Sequence, residues 1–223
     1  MSLKDNKKRV FEEVDQAIQN SGRPSSSVQI IAVTKYVEPQ IAKELVSAGV
    51  QHIGENRVDK FLEKYNFLKD EGVTWHLIGS LQSRKVKDVI NFVDYFHALD
   101  SVKLAREIQK RAEKTIKCFL QVNISQEVTK HGFAIEEIEA ALEEIAELDK
   151  VEIVGLMTMA PLSATDQELH ELFAEANRLR EKLANQGRQH MPFTELSMGM
   201  SGDFPIAIAH GSTFVRIGSA FFD

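Results

Sequence analysis

Residues Val28–Val33 read VQIIAV, a short run rich in β-branched side chains and apolar on both parities. That pattern marks a strand covered on both faces, as in a parallel sheet. Thr34-Lys35 follows at once, and a helix is then expected from Pro39 to Ala48, entered by Pro39 and stopped at Gly49. Upstream, Val10, Val14, Ala17 and Ile18 recur at helical spacing, and Ser21-Gly22-Arg23-Pro24 breaks the pattern. A leading helix over 4–20 and a turn to 24 are therefore predicted.

The same alternation continues to the C-terminus. Strands are expected at Gln51–Ile53, Trp75–Ile78, Phe92–Ala98, Thr115–Asn123, Val151–Leu156, Thr194–Ser197 and Thr213–Ile217. Helices are expected between them. One carries Val58, Phe61, Leu62, Tyr65 and Leu68, and one covers Ser83–Asn91. Others open near Asp100-Ser101, carry Ile135 to Leu148, span Asp166–Gln186, and form a short segment near Phe204–His210. Eight βα repeats predict an α/β fold, a single (β/α)8 TIM barrel, with an open doubly wound sheet as the alternative. No linker or internal repeat interrupts the chain, so 1–223 is expected to be one domain.

Composition narrows the function classes. The chain has 223 residues, 27 Lys+Arg against 33 Asp+Glu, and a net charge of −6. Mild acidity and a thin basic stretch at 84–88 argue against nucleic acid. No apolar run approaches the roughly 18 residues of a membrane span, and MSLKDNKKRVFEE lacks the apolar stretch of a signal peptide. A cytoplasmic protein, off the membrane and monomeric, is expected. The lone Cys118 excludes an internal disulfide and a multi-cysteine metal site.

In a barrel the chemistry sits on loops after the strands' C-terminal ends. Those loops hold Thr34 and Lys35; Glu55, Asn56 and Arg57; Ser80 and Gln82; Asn123, Ser125 and Lys130; Met157, Thr158 and Met159; Ser197 to Ser201; and Arg216, Gly218 and Ser219. Lys35, two residues beyond an apolar strand, would point into the mouth, where lost hydration favours a neutral amine able to form a Schiff base. A lysine snorkelling to solvent is the plain alternative. LSMGMSGD (196–203) and RIGS (216–219) put small residues where barrels bind phosphate, with free N–H groups and the Ser201 hydroxyl. Lysine on strand one and phosphate at strands seven and eight describe a pocket for pyridoxal 5′-phosphate (PLP). Arg216, if it points inward, reaches the pyridine nitrogen, and a cationic partner there weakens the ring as an electron sink. A structural ion pair is the alternative for Arg216.

These residues resemble the YggS/PROSC family of pyridoxal phosphate homeostasis proteins, related to the alanine racemase N-terminal barrel. The resemblance runs through IAVTKYVEP (31–39), GVQHIGENRVDK (49–60), WHLIGSLQSRKVK (75–87), HALDS (97–101), LQVNISQEVTKHGF (120–133), GLMTMAP (155–161) and LSMGMSGDFPIAIAHGSTFVRIGSAFF (196–222). It implies PLP held as a Schiff base on Lys35, phosphate contacts from Ser201, Gly218 and Ser219, and ring contacts near Asn56 and Arg216. Met200 is a soft lining candidate, and Lys130 is a second amine for cofactor hand-over. Such proteins resemble cofactor carriers or regulators, with apo PLP-dependent enzymes as recipients. Arg84 stands where the family usually has Asn, and the ending Phe221-Phe222-Asp223 departs from its usual FG.

The remaining candidates read structurally: His76 as a packed, hydrogen-bonded strand residue, Cys118 as buried, and Glu136–Glu147 as a solvated face. A racemase-like enzyme is the alternative activity. Its second base would come from a following domain, for which the barrel leaves no room in this length, and Tyr36 is expected to point away. A Schiff-base aldolase would need Glu55 as its acid–base group.

Overall fold

The computed structural model describes residues 2–126 and 131–223. Eight parallel strands close into a barrel in chain order: β1 Gln29–Val33, β2 His52–Glu55, β3 Thr74–Leu77, β4 Tyr95–Leu99, β5 Ile116–Gln121, β6 Val151–Met157, β7 Glu195–Met200 and β8 Phe214–Ile217. β1 pairs with β8 through Gln29–Phe214 to Ala32–Ile217, which closes the ring. The open doubly wound alternative is excluded.

The connecting helices are α2 Pro39–Ser47, α3 Val58–Leu68, α4 Val86–Val89, α5 Val102–Arg111, α6 Ile138–Ile145, α7 Asp166–Ala184 and α8 Phe204–Ala209. Before them lies α1 Leu3–Asn20, started by a capping box in which Ser2 and Asp5 exchange hydrogen bonds. Its buried stripe is Val10, Val14, Ala17 and Ile18, the residues whose spacing predicts it. α1 also ties down the end of the chain, since Asn6 Nδ2 donates to the carbonyls of Phe221 and Asp223.

The structure differs from the sequence expectation at four places, two of them with a local cause in view. The helix expected over 83–91 is a four-residue α-turn, α4, between two 3₁₀ turns at Ser83–Lys85 and Ile90–Phe92. Val86, Val89 and Ile90 are buried at helical spacing, but β-branched residues are poor helix formers and tight ends suit so short a segment. Phe92 closes that segment, so β4 begins at Tyr95 rather than Phe92. Asp94 marks the boundary by accepting from the Trp75 amide at 2.8 Å. β7 runs on to Met200, beyond the expected Ser197, and a short helix, α9 Ser219–Phe222, follows the last strand.

Strand parity decides what faces the barrel interior. A Cβ on Gly54 would fall 2.7 Å from Ile31 Cγ2, so Ile31 of β1 and Gly54 of β2 share the inner layer. Residues of the same parity, Val33 and then Lys35, face the mouth. Ala32 and Thr34 face the helices.

Candidate functional site

The mouth of the barrel holds a cavity of ≈ 720 Å³, within the range of small-molecule sites. Its wall includes Lys35, Asn56, Met200, Ser201, Arg216, Gly218 and Ser219. Every residue expected to contact PLP, apart from Lys130, therefore borders one space. Lys130 lies outside the described residues.

Lys35 is half-buried, and its Nζ lies 4.7 Å from the centre of the Tyr36 ring. Tyr36 is 88% exposed, so it does leave the interior, but its ring stays beside the amine rather than pointing away. The turn carrying Lys35 is pinned on its outer side. Thr34 Oγ1 donates to Glu55 Oε1 at 2.5 Å, and the same oxygen pairs with Lys64 Nζ at 2.6 Å. Both members of this ion pair are fully buried between β2 and α3. Glu55 does not border the cavity, because strand parity sends it outward. This removes the acid–base group that a Schiff-base aldolase would need.

Asn56 follows Glu55 and is held by a close backbone approach. A Cβ on Gly79 would lie 2.1 Å from the Asn56 carbonyl oxygen, so only glycine fits there. Opposite, the loops after β7 and β8 meet. Gly218 N–H donates to Ser201 Oγ at 3.3 Å, and Asp203 Oδ1 accepts from the Met200 amide at 2.6 Å. Gly199 permits this turn: its φ is +97°, and a Cβ there would meet Ala207 Cβ at 2.8 Å. Burial raises the Asp203 carboxyl above its ordinary value, against the pull of the Met200 amide and Arg216. A Cβ on Gly202 would meet nothing within 4 Å, so this turn edges open space.

Arg216 points inward and is buried. Its Nη1 donates to Ser197 Oγ at 2.7 Å and its Nη2 to the Thr158 carbonyl at 3.2 Å. Among the described residues these two contacts, not an ion pair, anchor it. Guanidinium carries five N–H donors, so further donors remain for a guest in the cavity. Burial pushes the group down to about 10, partly offset by Asp203, which leaves it cationic at neutral pH.

The four methionines near the C-terminal ends of β6 and β7 (Met157, Met159, Met198 and Met200) divide. Met157 and Met198 are core, whereas Met159 and Met200 border the cavity. Arg84 is exposed, bonds its neighbour Gln82 at 3.0 Å and does not border the cavity. Cys118 is fully buried and its thiol is pushed far up by burial, which makes it inert. His76 is buried and hydrogen-bonded, as expected for a packed strand residue. Sequence reading missed its partners. His52, His76 and His97 stand in adjacent strands, with 2.9 Å between His52 Nδ1 and His76 Nε2, and 2.8 Å between His76 Nδ1 and His97 Nε2. The signal was available: each histidine lies within a strand that the sequence predicts, on the inward parity.

The architecture is that of the alanine racemase N-terminal barrel, and the model of the family described as "Alanine racemase, N-terminal domain" matches residues 14–223. A pyridoxal phosphate homeostasis protein of Aquifex aeolicus is 38% identical over 217 residues, covering 96% of this chain and 94% of that one. The Escherichia coli K12 protein of the same name is 32% identical over 220 residues, 96% and 93% of the two chains. Among solved structures, PipY of Synechococcus elongatus with PLP bound superposes with a TM-score of 0.83 at 36% identity, over 94% of this chain and all of that one. The chain belongs to the pyridoxal phosphate homeostasis protein family.

Proposed function

We propose that the chain is a single PLP-binding domain over 1–223 that holds the cofactor as a Schiff base on Lys35 and acts in intracellular PLP homeostasis as a carrier, buffer or regulator. The observation that carries this reading is the single cavity into which Lys35, Arg216 and the joined Ser201–Gly218 turns all open. When bound, PLP supplies an aldehyde that bonds reversibly to an amine and a ring that can withdraw electrons. Ser201, Gly218 and Ser219 would receive its phosphate, and Asn56, Met200 and Arg216 would line its ring. The PLP-bound relative PipY supports the choice of ligand.

Two physical features favour holding over turnover. Arg216, cationic at the cavity wall, would keep a ring nitrogen placed against it unprotonated and so would limit the ring's use as an electron sink. The rim is wet: Tyr36 is 88% and Leu162 fully exposed beside the cavity, and water at the reacting carbon disfavours carbanion chemistry. The same open rim suits release of PLP to apo PLP-dependent enzymes. We place this activity in the cytoplasm, in a monomer; no helix of the described residues is long and apolar enough to cross a membrane. A racemase-like enzyme is the second reading, favoured by the shared barrel.

The test is incubation of the PLP-loaded protein with single-enantiomer amino acids in deuterated water. The carrier predicts a visible PLP band and no sustained α-deuterium exchange. Exchange or racemisation at enzyme-like rates refutes it in favour of the racemase.

A further inference from the structure

The barrel interior below the cavity is crossed by a continuous line of polar groups. It starts at His52 on the floor, passes through His76 and His97, and reaches Ser197, whose Oγ lies 2.8 Å from His97 Nδ1. It ends on Arg216 Nη1, 2.7 Å from the same hydroxyl. His76, His97 and Ser197 are fully buried, and the rings are held by aromatic neighbours. His76 stacks on Tyr95 at 4.9 Å and His97 on Phe119 at 4.3 Å, while Phe214 packs against all three histidines.

The chemistry of the end groups fixes the direction of every bond. Guanidinium can only donate, so Ser197 Oγ accepts from Arg216. Among the described residues the remaining partner of that hydroxyl is His97 Nδ1, so the Ser197 hydrogen goes there and His97 Nδ1 is bare. A neutral His97 then carries its proton on Nε2 and donates to His76 Nδ1. His76 in turn carries its proton on Nε2 and donates to His52 Nδ1. Both inner histidines are neutral, because burial and the neighbouring Arg216 and imidazoles hold them well below the ordinary histidine range. The other charges about the line are Asp94, which acts on His52, Asp203, which acts on Arg216, and Lys117, 5.2 Å from the Tyr95 ring.

We propose that Ser197, His97 and His76 form a one-way hydrogen-bond ladder that acts as a positioning device for Arg216, presenting its lone pairs to the guanidinium and fixing it as a cationic donor at the base of the cofactor cavity. It rests on the reading of that cavity as a PLP site. No carboxylate among the described residues hydrogen-bonds Arg216; Asp203 acts on it only at a distance, and the ladder supplies the side-chain acceptor. It is not a proton conduit to the cavity, because its upper end is a group that accepts no proton. Aligned bonds of this kind polarise one another in a low-dielectric interior, so disturbance at one end is felt at the other.

Histidine tautomers are read directly by long-range ¹H–¹⁵N NMR of the labelled protein, with or without PLP. The ladder predicts neutral, Nε2-protonated His76 and His97 in the wild type. In Ser197→Ala, His97 loses its donor, and His76, two bonds away and untouched, shifts to a mixture of tautomers. PLP, titrated by its visible band, then binds about tenfold more weakly, the cost of one charge-assisted contact. Ser197→Thr, which keeps the hydroxyl, restores both tautomers and binding. An Nδ1-protonated or cationic His97 or His76 in the wild type overturns the ladder, and that readout holds even where Ser197→Ala does not fold. Unchanged tautomers or unchanged PLP affinity in a folded Ser197→Ala protein overturns the positioning role. A wild type that takes up no PLP refutes the cofactor reading instead, with the ladder's direction still judged on the tautomers.

Discussion

The buried histidines make the stability of the fold depend on pH in a window where carboxylates play little part. In the unfolded chain a histidine titrates near 6.5. In the fold His76 and His97 stay neutral well below that, through burial first, and then through the neighbouring imidazoles for His76 and Arg216 for His97. Above pH ~6.5 neither state binds the proton and nothing is lost. As pH falls through ~6.5 the unfolded chain takes up protons that the native barrel refuses, so stability declines. Each such group costs about 1.4 kcal/mol per pH unit once below its unfolded value. Between pH 7.5 and 5.5, two groups cost about 2.7 kcal/mol, or roughly 5–10 °C in melting temperature for a chain of this size. Burial raises Asp100 and Asp203 and acts in the opposite sense, so the cleaner measure is a difference between proteins. Urea unfolding of the apo-protein at both pH values should show His97→Gln losing about 1.4 kcal/mol less than the wild type. Equal losses in the two proteins would show that His97 is protonated in the fold and would refute the reasoning.

Three further outcomes are expected. Lys64→Met strands a fully buried Glu55 carboxylate, one of whose oxygens already lacks a hydrogen-bond partner among the described residues; thermal unfolding should show a loss of about 3–5 kcal/mol. Gly79→Ala drives a methyl into the Asn56 carbonyl, so it should lower both melting temperature and PLP affinity, whereas Gly72→Ala, which meets no atom within 4 Å, should leave PLP affinity unchanged. Ser201→Ala removes a hydroxyl from the joined turns; PLP binding measured by its visible band should weaken about tenfold, while binding of pyridoxal, which lacks the phosphate, should be unaffected.

Much of this site was legible in the sequence because its signals are local. VQIIAV announces β1, and two-residue parity then carries Lys35 into the mouth without tertiary information. LSMGMSGD and RIGS show their small residues in a row, and both turns line the cavity. What sequence reading missed depends on residues distant along the chain. Ser197 and His97 are 100 positions apart, and only barrel closure sets them across from one another. Glu55 reads as a mouth residue by position, but the parity of β2 turns it toward α3 and Lys64. The short α9 was invisible because four residues after Gly218 carry no helical period, and α1 packs over the end of the chain.

The central claim is that PLP is held on Lys35. Reduction of the yellow, PLP-loaded protein with borohydride converts a Schiff base into a stable secondary amine, and peptide mass spectrometry locates it. The account predicts the pyridoxyl group on the peptide containing Lys35, and no fixed label or visible band in Lys35→Ala. A label on another lysine, or a visible band undiminished in Lys35→Ala, would contradict it.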